Sequence, residues 1–360
     1  MNTFTLLGKA VISRKVVEDA AVTVCDSRIT YAGERSFAPA LGETVSVNGW
    51  ILPGFIDIHC HAGGGIWVHD DLHSASDFHL KHGTTTMCAT LYRNLGHDGL
   101  LSAIDYISRE MKNCKNVIGV HLEGPYLNPN YGALSTGDET VAKREDYLPL
   151  LENDVVRHVT FAPEVSGTDE FLKELCRRGI LASVGHSAAS PEDIRRVTEN
   201  GVKNVTHLYD ATGASISPTR WAGTIEADFN TAALLMDNLT YEIICDKDGI
   251  HVRPELVKLT KKLCGAERII GITDACGDDG EGEEVNFVNG ELDGSKLTMD
   301  RVAKNFRNLG FAMPEVALVT SENAARLLGI FDSTGSLEAG KAADIVTLDD
   351  DFNVIRVYKA

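Results

Sequence analysis

The sequence predicts an α/β protein: a (β/α)8 TIM-like barrel with a small β-sandwich built from both termini. Two observations carry this. Apolar, strand-like runs recur at 51–58, 84–90, 117–122, 158–162, 180–184, 202–208, 241–245 and 268–273, with helix-like stretches between most of them. Both ends of the chain instead read as short strands broken by turns. Several of the runs are almost continuously apolar, as strands buried on both faces are. Alternating β and α units produce a parallel sheet clothed in helices. A doubly wound sheet is the alternative reading of the same pattern.

Helical stretches are expected at 100–112 and 169–178. A third, 191–199, follows Ser190, whose hydroxyl suits an N-cap, and a fourth, 254–264, opens on Pro254. The N-terminal strands fall at 4–7, 21–25, 29–32 and 43–47, and the C-terminal ones at 344–348 and 354–358. Neither end is long enough to bury a core alone, so the two are expected to share one small sandwich. The boundaries that follow are 1–52 and 335–360 for the sandwich and 53–334 for the barrel.

A chain of 360 residues with 43% apolar content suits one large domain with an appendage. The charge, 34 − 52 = −18, argues against wrapping nucleic acid or docking on anionic lipid. No apolar run reaches the roughly 20 residues of a membrane helix, and no secretory signal is visible. The cysteines (25, 60, 88, 114, 176, 245, 264, 276) form no CxxC pair. Free thiols in a reducing cytoplasm are the expectation.

The polar residues of interest stand where the apolar runs end: His59-Cys60-His61, His121-Leu122-Glu123-Gly124-Pro125, Gly185-His186-Ser187, Thr206-His207-Leu208 and Thr273-Asp274-Ala275. In a barrel these strand ends converge on the catalytic face. A lone His at a strand end is more often a satisfied structural group. A His-x-His pair aims both imidazoles to one face, and five such positions in phase make a metal site the better reading. Imidazole and carboxylate donors suit Zn²⁺, with Fe²⁺ and Mn²⁺ as alternatives. His69, His73, His79, His82 and His97 read as surface or supporting groups. His251, after the seventh run, is a candidate substrate ligand on the same face.

With these motifs in place, the sequence resembles the amidohydrolase superfamily, and within it the N-acetylglucosamine-6-phosphate deacetylases. The resemblance rests on Pro53-Gly54-Phe55-Ile56-Asp57-Ile58-His59-Cys60-His61, on His121-Leu122-Glu123-Gly124-Pro125, Ala162-Pro163-Glu164, Gly185-His186-Ser187 and Thr206-His207-Leu208-Tyr209. It continues through Asp248-Gly249-Ile250-His251, Thr273-Asp274-Ala275 and residues 335–344. It implies that Glu123, His186 and His207 hold one divalent metal and that His59 and His61 admit a second. It also implies Asp274 as the catalytic acid/base, His251 as the residue that contacts substrate, and a homodimer.

The resemblance places substrate binding at Gly132, Ala133, Asp210, Ala211, Arg220, Asp248, His251, Leu292, Asp293 and Gly294. Several of these depart from the family pattern. Asp210 stands where Asn is usual, Leu134 replaces a polar residue, and Asp293 adds a carboxylate. Deacetylation of N-acetylglucosamine 6-phosphate is the leading expectation. The alternatives are the same hydrolysis on an unphosphorylated or cationic N-acyl amine and, from another class, a non-catalytic sugar-binding scaffold. The scaffold reading requires loss of the proton shuttle, and Asp274 is present.

Overall fold

The computed structural model describes residues 3–39, 42–132, 141–213, 221, 223–277, 284–288 and 290–360. Eight parallel strands form the expected barrel sheet: β1 (Phe55–Cys60), β2 (Thr84–Tyr92), β3 (Val117–Glu123), β4 (Val156–Phe161), β5 (Leu181–Val184), β6 (Asn204–Val205), β7 (Thr240–Ile244) and β8 (Ile269–Ile272). The ladder runs in chain order from β1 to β8. It is closed beyond the strand ends, where Asp274 N donates to His59 O at 2.9 Å and His61 N donates to Ala275 O at 3.0 Å. Closure therefore brings two of the strand-end motifs into direct contact.

A helix follows each strand: Leu72–Lys81, Gly96–Glu110, Arg144–Leu151, Thr168–Arg178, Pro191–Glu199, Phe229–Leu234, Pro254–Cys264 and Met299–Asn308. Ser190 caps the fifth as expected: its side chain accepts from Asp193 N, and the Asp193 carboxylate accepts from Ser190 N. Gly179, at φ 70°, ends the fourth in the left-handed conformation that glycine adopts without steric cost. The helices cover the barrel strands, which is why β1 and β3 are buried or nearly so along their whole length.

The chain ends combine in one six-stranded sheet. Thr3–Ile12, Lys15–Cys25, Arg28–Glu34 and Glu43–Pro53 come from the N-terminal side; Ile345–Leu348 and Val354–Tyr358 come from the other. The sheet folds back on itself, with Ile29 N donating to Lys341 O at 2.9 Å and Ala343 N to Ser27 O at 2.9 Å. Its inner face buries Leu6, Val22, Ile29, Ile51, Leu337 and Ile345 as a separate small core. A second core, with Phe306, Phe311, Val346 and Leu348, joins the sheet to β1, β7 and β8. Among the described residues, no helix is long and apolar enough to cross a membrane.

Candidate metal centre and cavity

The barrel interior below the strand ends is polar and fully buried. His121 and His158 stack with ring centroids 3.8 Å apart. His121 Nε2 meets Thr160 Oγ1 at 2.8 Å and His158 Nε2 meets Ser183 Oγ at 2.6 Å. Glu242, completely buried on β7, accepts from Asn204 Nδ2 at 2.7 Å and from His59 Nδ1 at 3.1 Å. Glu242 thereby fixes the His59 ring, as a supporting carboxylate does for a ligating imidazole.

Above this layer the strand-end residues meet. Glu123 Oε1 lies 2.8 Å from His186 Nε2 and 3.0 Å from His207 Nε2, and the two Nε2 atoms are 3.0 Å apart. The other ring nitrogens face backbone carbonyls: His186 Nδ1 donates to Tyr131 O and His207 Nδ1 to Asp210 O, both at 3.0 Å. Those bonds place the ring proton on Nδ1, so both Nε2 lone pairs and a carboxylate oxygen point at one spot. Three acceptors at that spacing are repulsive unless a cation stands among them. The donor set therefore fits a divalent ion.

His59 and His61 extend the cluster. Their Nε2 atoms are 3.3 Å apart, with His59 Nε2 3.3 Å from Glu123 Oε1 and His61 Nε2 3.1 Å from Glu123 Oε2. Asp274 Oδ1 stands 3.2 Å from His59 Nε2 and 3.3 Å from His61 Nε2. Burial alone would lower the His59 and His207 pKa values, but Glu123 and Asp274 outweigh it. Both are raised, His207 to about 9. Burial would raise Asp274, yet His59 and His61 hold it well below the usual carboxylate range. Each shift records the same fact: this centre attracts positive charge.

The backbone is bent to build it. His186, His207 and Asp274 have φ of 47°, 29° and 48°, in the left-handed region that non-glycine residues enter at a cost of about 1–2 kcal/mol each. Gly132, at φ 102°, approaches so closely that a Cβ there would run into His186 Nδ1. Glu164 ties two loops together, accepting from Ser187 Oγ at 2.6 Å, Ala188 N at 2.7 Å and Asn128 Nδ2 at 2.8 Å.

A cavity of about 310 Å³ opens over the cluster, with His61, Glu123, His186, His207 and Asp274 in its wall. Gly132, Asp210, Ala211, Leu292, Asp293 and Gly294 also line it. Ala133, Leu134 and Arg220 lie outside the described residues. Asp248 is exposed and away from the wall. His251 stands behind the wall, with Nδ1 2.6 Å from Asp210 Oδ2 and Nε2 3.1 Å from Gly294 O. It reaches the cavity through those two neighbours.

Sequence reasoning missed Glu242, Trp67, Tyr92 and Arg93. Glu242 is a lone carboxylate inside an apolar strand run, and that is a readable signal for an inward-facing polar group. Trp67 and Tyr92 form an aromatic wall, with ring centroids 5.2 Å apart. A further acid–thiol–imidazole group, Asp57, Cys60 and His79, lies below the site. His79 Nε2 donates to Ala62 O at 2.7 Å, so that nitrogen has no lone pair to offer an ion.

Residues 50–360 match the profile described as the amidohydrolase family. The chain is 30% identical to an N-acetylglucosamine-6-phosphate deacetylase of Bacillus subtilis, over 96% of this chain and 92% of that one. It is 28% identical to an N-acetylgalactosamine-6-phosphate deacetylase of Escherichia coli O157:H7, over 86% of each. Among solved structures, it is similar to an N-acetyl-D-glucosamine-6-phosphate deacetylase mutant from Mycobacterium smegmatis in complex with N-acetyl-D-glucosamine-6-phosphate. That likeness has a TM-score of 0.87 and 26% identity, over 100% of this chain and 98% of that one.

Proposed function

Because this chain belongs to the amidohydrolase family, we propose that it deacetylates N-acetylglucosamine 6-phosphate to glucosamine 6-phosphate and acetate. The observation that carries the reading is the convergence of Glu123, His186, His207, His59, His61 and Asp274 in one cluster, all but His59 lining one cavity. A divalent ion held by Glu123, His186 and His207 would acidify water and polarise the amide carbonyl. His59 and His61, sharing Glu123, would hold a second ion. Zinc is the ion we propose, on the strength of the imidazole and carboxylate donors.

Asp274 is the proton carrier in this reading. Its carboxylate is held ionised, so it is ready to take a proton from the attacking water. It then delivers that proton to the sugar nitrogen, because an amide anion is too basic to leave. His251 acts at one remove: it fixes Asp210 and the Gly294 carbonyl in the substrate wall. The free thiol state of all eight cysteines supports a cytoplasmic setting. The exposed side chains of Trp221 and Ile225, at 71% and 96%, are surface that a second copy of the chain would cover, which supports a homodimer.

Asp293 favours a second reading, an unphosphorylated or cationic N-acyl amine, because it adds a carboxylate to the wall. One assay separates the two: acetate release from N-acetylglucosamine 6-phosphate, N-acetylglucosamine and N-acetylated diamines, each with zinc, manganese or ferrous ion. Fastest release from the phosphorylated sugar is expected. Preference for the diamines would replace the leading reading with the second, and no release from any substrate would end both.

A further inference from the structure

Four arginines among the described residues are half-buried: Arg93, Arg178, Arg196 and Arg268. Three of them are paired. Arg178 donates to Glu174 and to Leu151 O, Arg196 to Asp193 and Pro163 O, and Arg268 to Met236 O and the Tyr241 hydroxyl. Arg93 has no hydrogen-bond or ion-pair partner among the described residues. It also lines the cavity over the metal centre. Burial lowers its pKa, and the charge of Glu123 only partly opposes that.

A half-buried guanidinium without protein acceptors has its donors free for a ligand, and its planar fork matches the oxygens of a phosphate or carboxylate. The chain fixes the base of this side chain. Arg93 begins the single turn Arg93–Leu95 directly after β2, and its Cβ backs onto Gly124, just past Glu123. Asn94 lines the cavity beside it. The Asp210 carboxylate, also in the wall, is already engaged by His251. Among the described residues, Arg93 is thus the cation of the cavity wall with donors to spare, in a wall that also carries Asp210, Asp274 and Asp293.

We propose that Arg93 is a specificity-determining residue that grips an anionic group of the substrate. The inference deepens the deacetylase reading and rests on it. The shared chemistry is a phosphate or carboxylate oxyanion. It has two sources: the phosphate of the sugar, or a carboxylate at the end of the acyl chain.

The test compares wild-type enzyme with Arg93→Met and Arg93→Lys, all loaded with zinc. The substrates are N-acetylglucosamine 6-phosphate, N-acetylglucosamine and N-succinylglucosamine. A loss of about tenfold or more in kcat/KM for Arg93→Met is expected on an anionic substrate, carried by KM, with N-acetylglucosamine unchanged and Arg93→Lys intermediate. Loss on the phosphorylated sugar assigns the phosphate; loss on the succinyl compound assigns the acyl carboxylate. An equal loss on all three substrates, or none on any, overturns the proposal.

Calorimetry with glucose 6-phosphate and glucose separates this failure from failure of the function. If wild type favours the phosphate and Arg93→Met does not, the anion site stands even where no acyl group is released. If wild type binds both sugars alike and no acyl group is released, the site falls together with the deacetylase reading.

Discussion

Asp210 Oδ2 accepts a hydrogen bond from His251 Nδ1 at 2.6 Å, while His251 Nε2 faces the Gly294 carbonyl at 3.1 Å. Both ring nitrogens therefore meet acceptors, an arrangement that a doubly protonated imidazole satisfies completely. The extra carboxylate at this position is balanced by its neighbour. It does not stand as a bare charge against an incoming phosphate.

The first prediction is that Asp210→Asn gives no gain on the phosphorylated sugar and costs about 2 kcal/mol of stability. Burial would lower the His251 pKa, but the Asp210 hydrogen bond and charge raise it. Stability from a raised imidazole is complete below its ordinary value of about 6.5 and is lost as pH rises through the raised value. The gap between wild type and Asp210→Asn in urea unfolding should therefore narrow as pH climbs from about 6.5. A tenfold rise in kcat/KM on N-acetylglucosamine 6-phosphate would show that the carboxylate does oppose phosphate.

Asp274→Asn removes the proton carrier and keeps the side-chain shape. Turnover should fall by about 10²–10⁴-fold, with bound metal near the wild-type level by elemental analysis. Activity within threefold of wild type would exclude Asp274 from proton transfer.

Glu242→Gln tests the support beneath His59. The amide keeps the volume but weakens the acceptor that orients the ring. Affinity for the ion at His59 and His61 should drop about 10–100-fold, as read by titration with a competing chelator, while the ion at Glu123, His186 and His207 is retained. Equal loss of both ions would mean that Glu242 stabilises the barrel as a whole.

Gly132→Ala places a methyl group against His186 Nδ1 on a backbone of φ 102°. The methyl displaces the imidazole. A drop of at least about tenfold in kcat is expected from such a displacement of a catalytic group, with the far-ultraviolet circular dichroism unchanged. Wild-type kinetics would show that the loop yields instead of the ring.

The barrel strands are legible in the sequence because burial on both faces writes each as an apolar run. The run 202–208 is the instructive case. Only Asn204–Val205 stays in the ladder, because the next residues leave strand geometry to aim His207 inward at φ 29°. The proposed ligand set is legible for a related reason: each member stands at or within two residues of a strand end. Arg93 and the pairing of Asp210 with His251 are not. Arg93 carries no motif, and the bond from Asp210 to His251 spans 41 positions that only the closed barrel brings together.

The left-handed backbone at residues 186, 207 and 274 bears on what mutation can do there. Asn, Asp, His and Gly tolerate that conformation far better than branched side chains do. A saturation library at these three positions would be filtered twice, by backbone fit before catalytic chemistry. Folded but inactive members would be rich in Asn and Gly and poor in Val and Ile. Substitutes at these positions therefore come from a short alphabet, in which Asp and His are themselves metal-binding side chains.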